Sequence, residues 1–281
     1  FLCVSLSRFL RRHSLLLGFV SMEFTSLYRR YRPRCFADMK GQGHVVAALQ
    51  NAVRQNRVFH AYLLSGPRGT GKTTAARILA KALNCEQIDD GEPCCKCDSC
   101  LSIDKGNSFD LHELDAASNN KVDDIRDLLS KVALGTPGRT KVYLLDEVHM
   151  LTSGAENALL KTLEEPPDHV VFVMATTEPH KVVETVRSRS QHLELNLLPT
   201  DQLRELLEEI AQDAGLEVDD EGLNQAIREA KGSARDALSA LDKIIAGGSS
   251  VQGSFIDDLL EGIATSDSKK LLTVVNDAIA T

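Results

Sequence analysis

The stretch Gly66-Pro67-Arg68-Gly69-Thr70-Gly71-Lys72-Thr73 constrains this chain more than any other. It satisfies the phosphate-loop pattern, a glycine-bracketed turn closing on Gly-Lys-Thr. It also sits where that pattern has a mechanism. Before it, residues 61–65 (Ala-Tyr-Leu-Leu-Ser) form an apolar run that reads as a buried strand. After it, Ile78, Leu79, Ala82 and Leu83 recur on one helical face. In such a strand–turn–helix the glycines let backbone N–H groups turn inward around phosphate oxygens, and the helix N-terminus adds positive partial charge. Lys72 then places a point charge at the β- and γ-phosphates, the Thr73 hydroxyl is a Mg²⁺ ligand, and Thr74 completes the first turn of the cradle.

A second half of such a site lies downstream. Val142-Tyr143-Leu144-Leu145 ends in the paired carboxylates Asp146-Glu147. An apolar strand ending this way puts Asp146 at the C-terminal edge of a sheet, beside the phosphate loop, where it holds Mg²⁺ directly or through water. Glu147 is the candidate that orients and activates an attacking water. An adjacent glutamate points to water as the phosphoryl acceptor rather than to a small-molecule kinase.

The rest of the chain supplies the frame. Apolar strands are predicted at 61–65, 109–114, 142–145 and 170–175, with an alternating one at 192–196. Helices fall between them. One carries Val122, Ile125, Leu128, Leu129 and Val132, and another opens on Ser153 with Glu156 completing a capping box before Pro166-Pro167. Strands separated by helices predict a parallel five-stranded sheet covered on both faces. Beyond Asn196 only helices follow. The first is capped by Thr200, carries Leu203, Leu206, Leu207 and Ile210, and ends at Gly215; two more lie near 219–230 and 233–246. Gly247-Gly248-Ser249-Ser250 reads as a flexible joint before a final helical stretch.

Composition excludes some classes. With 43% hydrophobic and 26% charged residues the chain is of ordinary globular type. No apolar run approaches the roughly 20 residues that span a bilayer. A net charge of −8 rules out a generally basic surface, so any nucleic acid must be met by a local face. Arg8, Arg11 and Arg12 before Leu15-Leu16-Leu17 mimic an export signal. The apolar stretch is short, however, the chain opens on Phe1, and Met22 follows, so residues 1–21 are read as upstream sequence and the location as cytoplasmic.

Cysteines cluster. Cys94, Cys97 and Cys100 are spaced C-x₂-C-x₂-C, and Cys85 stands nine positions earlier at the end of the phosphate-loop helix. Four thiolates around a tetrahedral Zn²⁺ is the economical reading, with Cys95 spare; an iron–sulfur cluster is the alternative. A closed site of this kind is structural and folds a module of about residues 85–104.

Together these motifs resemble the gamma/tau family of bacterial DNA polymerase III clamp-loader motor subunits, within the AAA+ superfamily. The resemblance covers about residues 25–250. It rests on Leu27-Tyr28-Arg29-Arg30-Tyr31-Arg32-Pro33, Phe36-Ala37-Asp38, Gly41-Gln42, Asp115-Ala116-Ala117-Ser118, Leu145-Asp146-Glu147-Val148-His149-Met150-Leu151 and the cysteine module. The resemblance implies an AAA+ nucleotide-binding domain at 22–196, a helical lid at 197–247, and the start of a helical collar or oligomerisation domain at 248–281. It implies that Tyr28, Arg32 and Pro33 lie against adenine, and that Thr177 or Thr176 senses the γ-phosphate. Arg235, in the lid, would reach the phosphates; it sits in a first helical turn, where the macrodipole disfavours a cation without an anionic partner. Arg189, in Ser188-Arg189-Ser190, falls at the family's finger that reaches a neighbouring subunit's ATP. Ser190 stands where the pattern has Cys, and Arg187 is the competing candidate.

The implied function is ATP-driven loading of a sliding clamp onto primed DNA. The implied partners are other clamp-loader subunits in a hetero-oligomeric ring, the clamp, and the replicative polymerase through a region beyond this chain. DNA would be met through its phosphates, with Asn119, Asn120 and Lys121 at one helix start and Ser153 and Gly154 at another as plausible contacts or plain caps. Two other functions stay open: another AAA+ DNA motor of the branch-migration helicase type, which would lack the four-cysteine module, and a nucleotide-gated assembly scaffold that hydrolyses little.

Overall fold

The computed structural model describes residues 25–132 and 139–247. The expected upstream segment at 1–21, residues 248–250 of the joint expected at 247–250, and the collar at 248–281 lie outside the described residues, while Gly247 is the last residue of a helix. Five strands, β1 (Ala61–Ser65), β2 (Leu111–Asp115), β3 (Lys141–Asp146), β4 (Val170–Thr176) and β5 (Gln191–Glu194), form one parallel sheet in the order β2-β3-β4-β1-β5. Helices α1 (Leu27–Arg30) and α2 (Gly43–Arg54) precede the sheet; α3 (Lys72–Asn84), α4 (Asp98–Asp104), α5 (Val122–Val132), α6 (Ser153–Glu164) and α7 (Glu184–Arg187) connect its strands. A helical lid follows, built from α8 (Thr200–Ala214), α9 (Asp220–Ala230) and α10 (Ala234–Gly247).

Every residue of β1 and β4 is buried, as central strands covered on both faces must be. Side-chain alternation along the strands sorts them into two cores. Tyr62, Leu64, Leu144 and Val173 pack under α2 and α3, whereas Ala61, Leu63, Tyr143 and Phe172 pack under α5 and α6. The edge strand β2 starts at Leu111 rather than at the predicted residue 109, because Phe109 stands 85% exposed outside the sheet.

Two predicted caps are displaced. Helix α6 is capped by Thr152, not Ser153: the Thr152 hydroxyl accepts from the Ala155 N–H and donates to the Asn120 carbonyl, which fixes it one residue earlier. Helix α8 has Pro199 at its N-cap and Thr200 already inside, while Gly215 closes it in the left-handed region as expected.

The lid core joins Leu203, Leu207, Leu223, Ala226 and Leu241. Leu27 is buried in the same core, its N–H donating to Asp242 Oδ2 at 2.9 Å, and the Tyr31 hydroxyl donates to Asp213 Oδ2 at 2.7 Å. The N-terminal arm, grouped with the first domain on sequence, therefore packs on the lid. Gln42, just before α2, is tied to the segment that follows β5: its amide donates to the Asn196 carbonyl at 2.7 Å and accepts from the Asn196 N–H at 3.0 Å.

Candidate active site and metal centre

Parallel strands carry their C-terminal ends to one edge, and a cleft of about 390 Å³ opens there. The sheet order puts the ends of β3 and β1 on either side of β4, with Ser65 registered against Thr176. Lys72, the first residue of α3, is 6% exposed and lines the cleft; its ammonium donates to the carbonyls of Gly66 at 2.7 Å and Pro67 at 2.8 Å. Burial lowers its pKa, against the opposing pull of Glu147 and Asp146. The Thr73 hydroxyl donates to Asp146 Oδ2 at 2.8 Å, joining residues 73 positions apart. Two oxygen donors brought together in this way fit a hard divalent cation such as Mg²⁺.

Glu147 adopts a left-handed backbone at φ 51°, uncommon outside glycine. Its Oε2 accepts from the Thr177 hydroxyl at 2.9 Å and the Thr177 N–H at 3.3 Å, and His149 Nδ1 stands 3.4 Å from the same oxygen.

The other walls come from three places. Tyr28, Arg32 and Pro33 enter from the N-terminal arm; Arg68, Gly69, Thr70 and Gly71 come from the loop, with Thr73 and Thr74 in the first turn of α3. Gly66 and Pro67 are not on the wall and act instead through the carbonyls that hold Lys72. Arg235 reaches in from the lid, its guanidinium 4.9 Å from the centroid of the Tyr28 ring. Gly69 has φ +77°, and a Cβ there would stand 2.0 Å from the Ser233 hydroxyl. Only a residue without a side chain lets the lid come this close to the phosphate loop.

Thr177 and Thr176 do not line the cleft. Thr177 acts on Glu147, and Thr176 is fully buried, its hydroxyl 3.0 Å from His149 Nδ1 and accepting from the Glu178 N–H. Arg189 is also off the wall: it donates to the Thr185 carbonyl at 2.9 Å and pairs with Glu164 at 2.8 Å on the outer surface. Arg187 is exposed nearby. Asn120 and Thr152 bind each other, so the starts of α5 and α6 are neighbours, and a Cβ on Gly154 would lie 2.5 Å from the Val122 side chain. Three residues received no role on sequence: Asp115, registered against Asp146 and lining the cleft; His149; and Ser233. The first was signalled by a second strand ending in a carboxylate. The other two depend on tertiary approach.

The sulfurs of Cys85, Cys94, Cys97 and Cys100 all lie within 4.8 Å of one another, so the cluster could hold a metal ion. A tetrahedral zinc with ~2.3 Å bonds sets its sulfurs about 3.8 Å apart, a separation that falls inside this limit. Backbone N–H groups already point at the sulfurs: Cys94 toward Cys85 Sγ at 3.2 Å, and Lys96 and Cys97 toward Cys94 Sγ at 3.5 and 3.3 Å. The last two push the Cys94 thiol down to about 6. Cys95 turns away and donates to the Arg34 carbonyl at 3.1 Å.

A family described as DNA polymerase III, delta subunit, matches residues 41–199. The DNA polymerase III subunit tau of Escherichia coli strain K12 is 45% identical over 273 residues, covering 92% of this chain and 42% of that protein. The subunit tau of Bacillus subtilis strain 168 is 49% identical over 241 residues, covering 85% of this chain and 41% of its own length. The gamma/tau subunit of Mycobacterium tuberculosis strain H37Rv is 43% identical over 90% of this chain and 47% of its length. The chain thus spans less than half the length of these relatives. Among solved structures, the Thermotoga maritima RuvB Holliday junction branch migration motor has a TM-score of 0.58 at 22% identity, covering 88% of this chain and 72% of that one. This likeness shows a shared fold, an α/β domain followed by a helical part.

Proposed function

This chain belongs to the DNA polymerase III delta-subunit family, and from that premise we propose that it is the ATP-hydrolysing motor subunit of a clamp loader. One observation carries the proposal. Lys72, Thr73 and Asp146 converge in a single cleft that Arg235 of the lid also lines.

In this reading the adenine lies along Tyr28, Arg32 and Pro33, and the triphosphate follows the loop from Gly66 to Thr74. Lys72 gives up its carbonyl partners for phosphate oxygens, whose charge its ammonium neutralises. Thr73 and Asp146 would hold Mg²⁺, which supplies further charge neutralisation on the β- and γ-phosphates. Glu147 orients the attacking water and is itself oriented by Thr177, so Thr177 reaches the γ-phosphate region through the carboxylate. Arg235 ties the lid to nucleotide occupancy. Arg189, on the outer face, is available to the site of a neighbouring subunit, where its guanidinium would stabilise transferred phosphoryl charge. The four cysteines would hold zinc as a structural ion.

The cycle that follows is conformational: ATP-bound subunits pack into a ring with their partner subunits, open a sliding clamp and grip primed DNA by its phosphates, and hydrolysis releases the closed clamp. A branch-migration motor has the support of fold alone, and the four-cysteine cluster disfavours it. The test mixes the chain with its partner subunits, clamp and primed DNA. Turnover stimulated by clamp and DNA, and lost on Arg189→Ala, is expected. Turnover indifferent to both additions defeats the clamp-loader reading, and absence of turnover favours a scaffold.

A further inference from the structure

A second cleft, of about 560 Å³, lies beside the first and is lined almost wholly by cations. Arg29, Arg30, Arg32 and Arg34 enter it from the N-terminal arm, and Arg77 and Lys81 from α3. Among the described residues, Asp104 is the one carboxylate on its wall. Six positive charges therefore face one negative, in a chain whose net charge is −8. Gathering like charges costs free energy that a bound anion would offset.

The nearby carboxylates leave much of this charge uncompensated. Asp104 is shared between Arg34 at 2.8 Å and Lys81 at 2.7 Å, and Arg77 pairs with Glu113 at 2.6 Å. Arg29 and Arg30 are exposed and rest against the rings of Tyr28 and Tyr31, their guanidinium carbons 5.7 and 5.2 Å from the centroids. The half-buried Arg32 side chain makes no hydrogen bond or ion pair with a described residue; burial and then the charge of Arg77 lower its pKa, against the weaker opposing pull of Glu113. Arg29, Arg30 and Arg32 thus make no ion pair with a described carboxylate, and Glu113, which acts on Arg32 at longer range, is already paired with Arg77.

We propose that this cleft binds a compact polyphosphate, at a site separate from the nucleotide cleft and adjoining it at Arg32 and Pro33, which line both. The planar fork of arginine matches pairs of phosphate oxygens. Among the described residues no aromatic ring lines the cleft, so a base has nothing there to stack on, and the ligand is a chain of phosphates rather than a nucleoside. Cations converging on a concavity from two elements suit a short, multiply charged anion better than a duplex, which needs a charged track along its backbone.

The probe is inorganic tripolyphosphate, titrated calorimetrically into the full chain saturated with a non-hydrolysable ATP analogue. A parallel titration into Lys72→Ala reports the second cleft whether or not nucleotide blocks the first. One equivalent is expected to bind in both, and Arg29→Ala/Arg30→Ala should weaken it about tenfold or more. The single charge reversal Arg30→Glu, at an exposed position, should weaken it in the same direction. Three results would overturn the proposal: no binding above the buffer control; equal affinity in the double variant; or tighter binding of a short DNA duplex or an oligoglutamate peptide, lost through the same substitutions.

Discussion

Thr177 donates both its hydroxyl, at 2.9 Å, and its backbone N–H, at 3.3 Å, to one carboxylate oxygen of Glu147. The two residues follow the ends of β4 and β3, strands that pair directly, so the sheet itself sets this contact. A carboxylate held from two directions is aimed before any water arrives. Thr177→Val should therefore lower ATP turnover about tenfold or more while leaving nucleotide affinity within about twofold, and Glu147→Gln should lower turnover about a hundredfold. Steady-state hydrolysis beside equilibrium nucleotide binding separates the two effects. Unchanged turnover in Thr177→Val would remove its orienting role.

Gly69→Ala should weaken nucleotide binding by prising the lid from the loop. Its φ of +77° and the 2.0 Å approach to the Ser233 hydroxyl both oppose a side chain, at a cost of about 1–3 kcal/mol. Ser233→Gly alone loses the hydroxyl that accepts from the Asp236 N–H at the start of α10, and should also destabilise. Because each substitution bears on the same contact, the pair should cost less than the sum. Thermal unfolding and nucleotide affinity of the four proteins measure this coupling, and strict additivity would speak against the contact.

The cysteine cluster should carry about one zinc ion per chain in freshly purified, reduced protein. Cys97→Ser should abolish it, and Cys95→Ser should not, since the Cys95 thiol faces the Arg34 carbonyl. Stripping the metal should lower the unfolding midpoint by at least about 5 °C, because ligand binding to the native fold is folding free energy. Elemental analysis with calorimetry decides it.

Much of this was legible in the sequence because it is written locally. The phosphate loop, the apolar strand ending in Asp146-Glu147 and the C-x₂-C-x₂-C spacing each carry their chemistry within a few residues. The five-strand sheet was legible for the same reason, since central strands buried on both faces become continuous apolar runs. What escaped depends on approach in space. Nothing near Leu27 announces that it packs against helices some 200 positions away, its N–H on Asp242. Nothing near Thr177 shows that its partner is Glu147. The caps of α6 and α8 were misplaced by one residue because several neighbouring positions can all act as caps, and tertiary anchoring, as of Thr152 on Asn120, chooses among them.

Binding and hydrolysis of Mg·ATP by the wild type and by Lys72→Ala bear most directly on the whole account. Among the described residues lining the cleft, Lys72 is the one buried cation, its ammonium fixed by the Gly66 and Pro67 carbonyls. Saturable binding by the wild type, weakened about tenfold or more by the substitution, with turnover falling to background, is the predicted result. Equal affinity and equal turnover in the two proteins would contradict it.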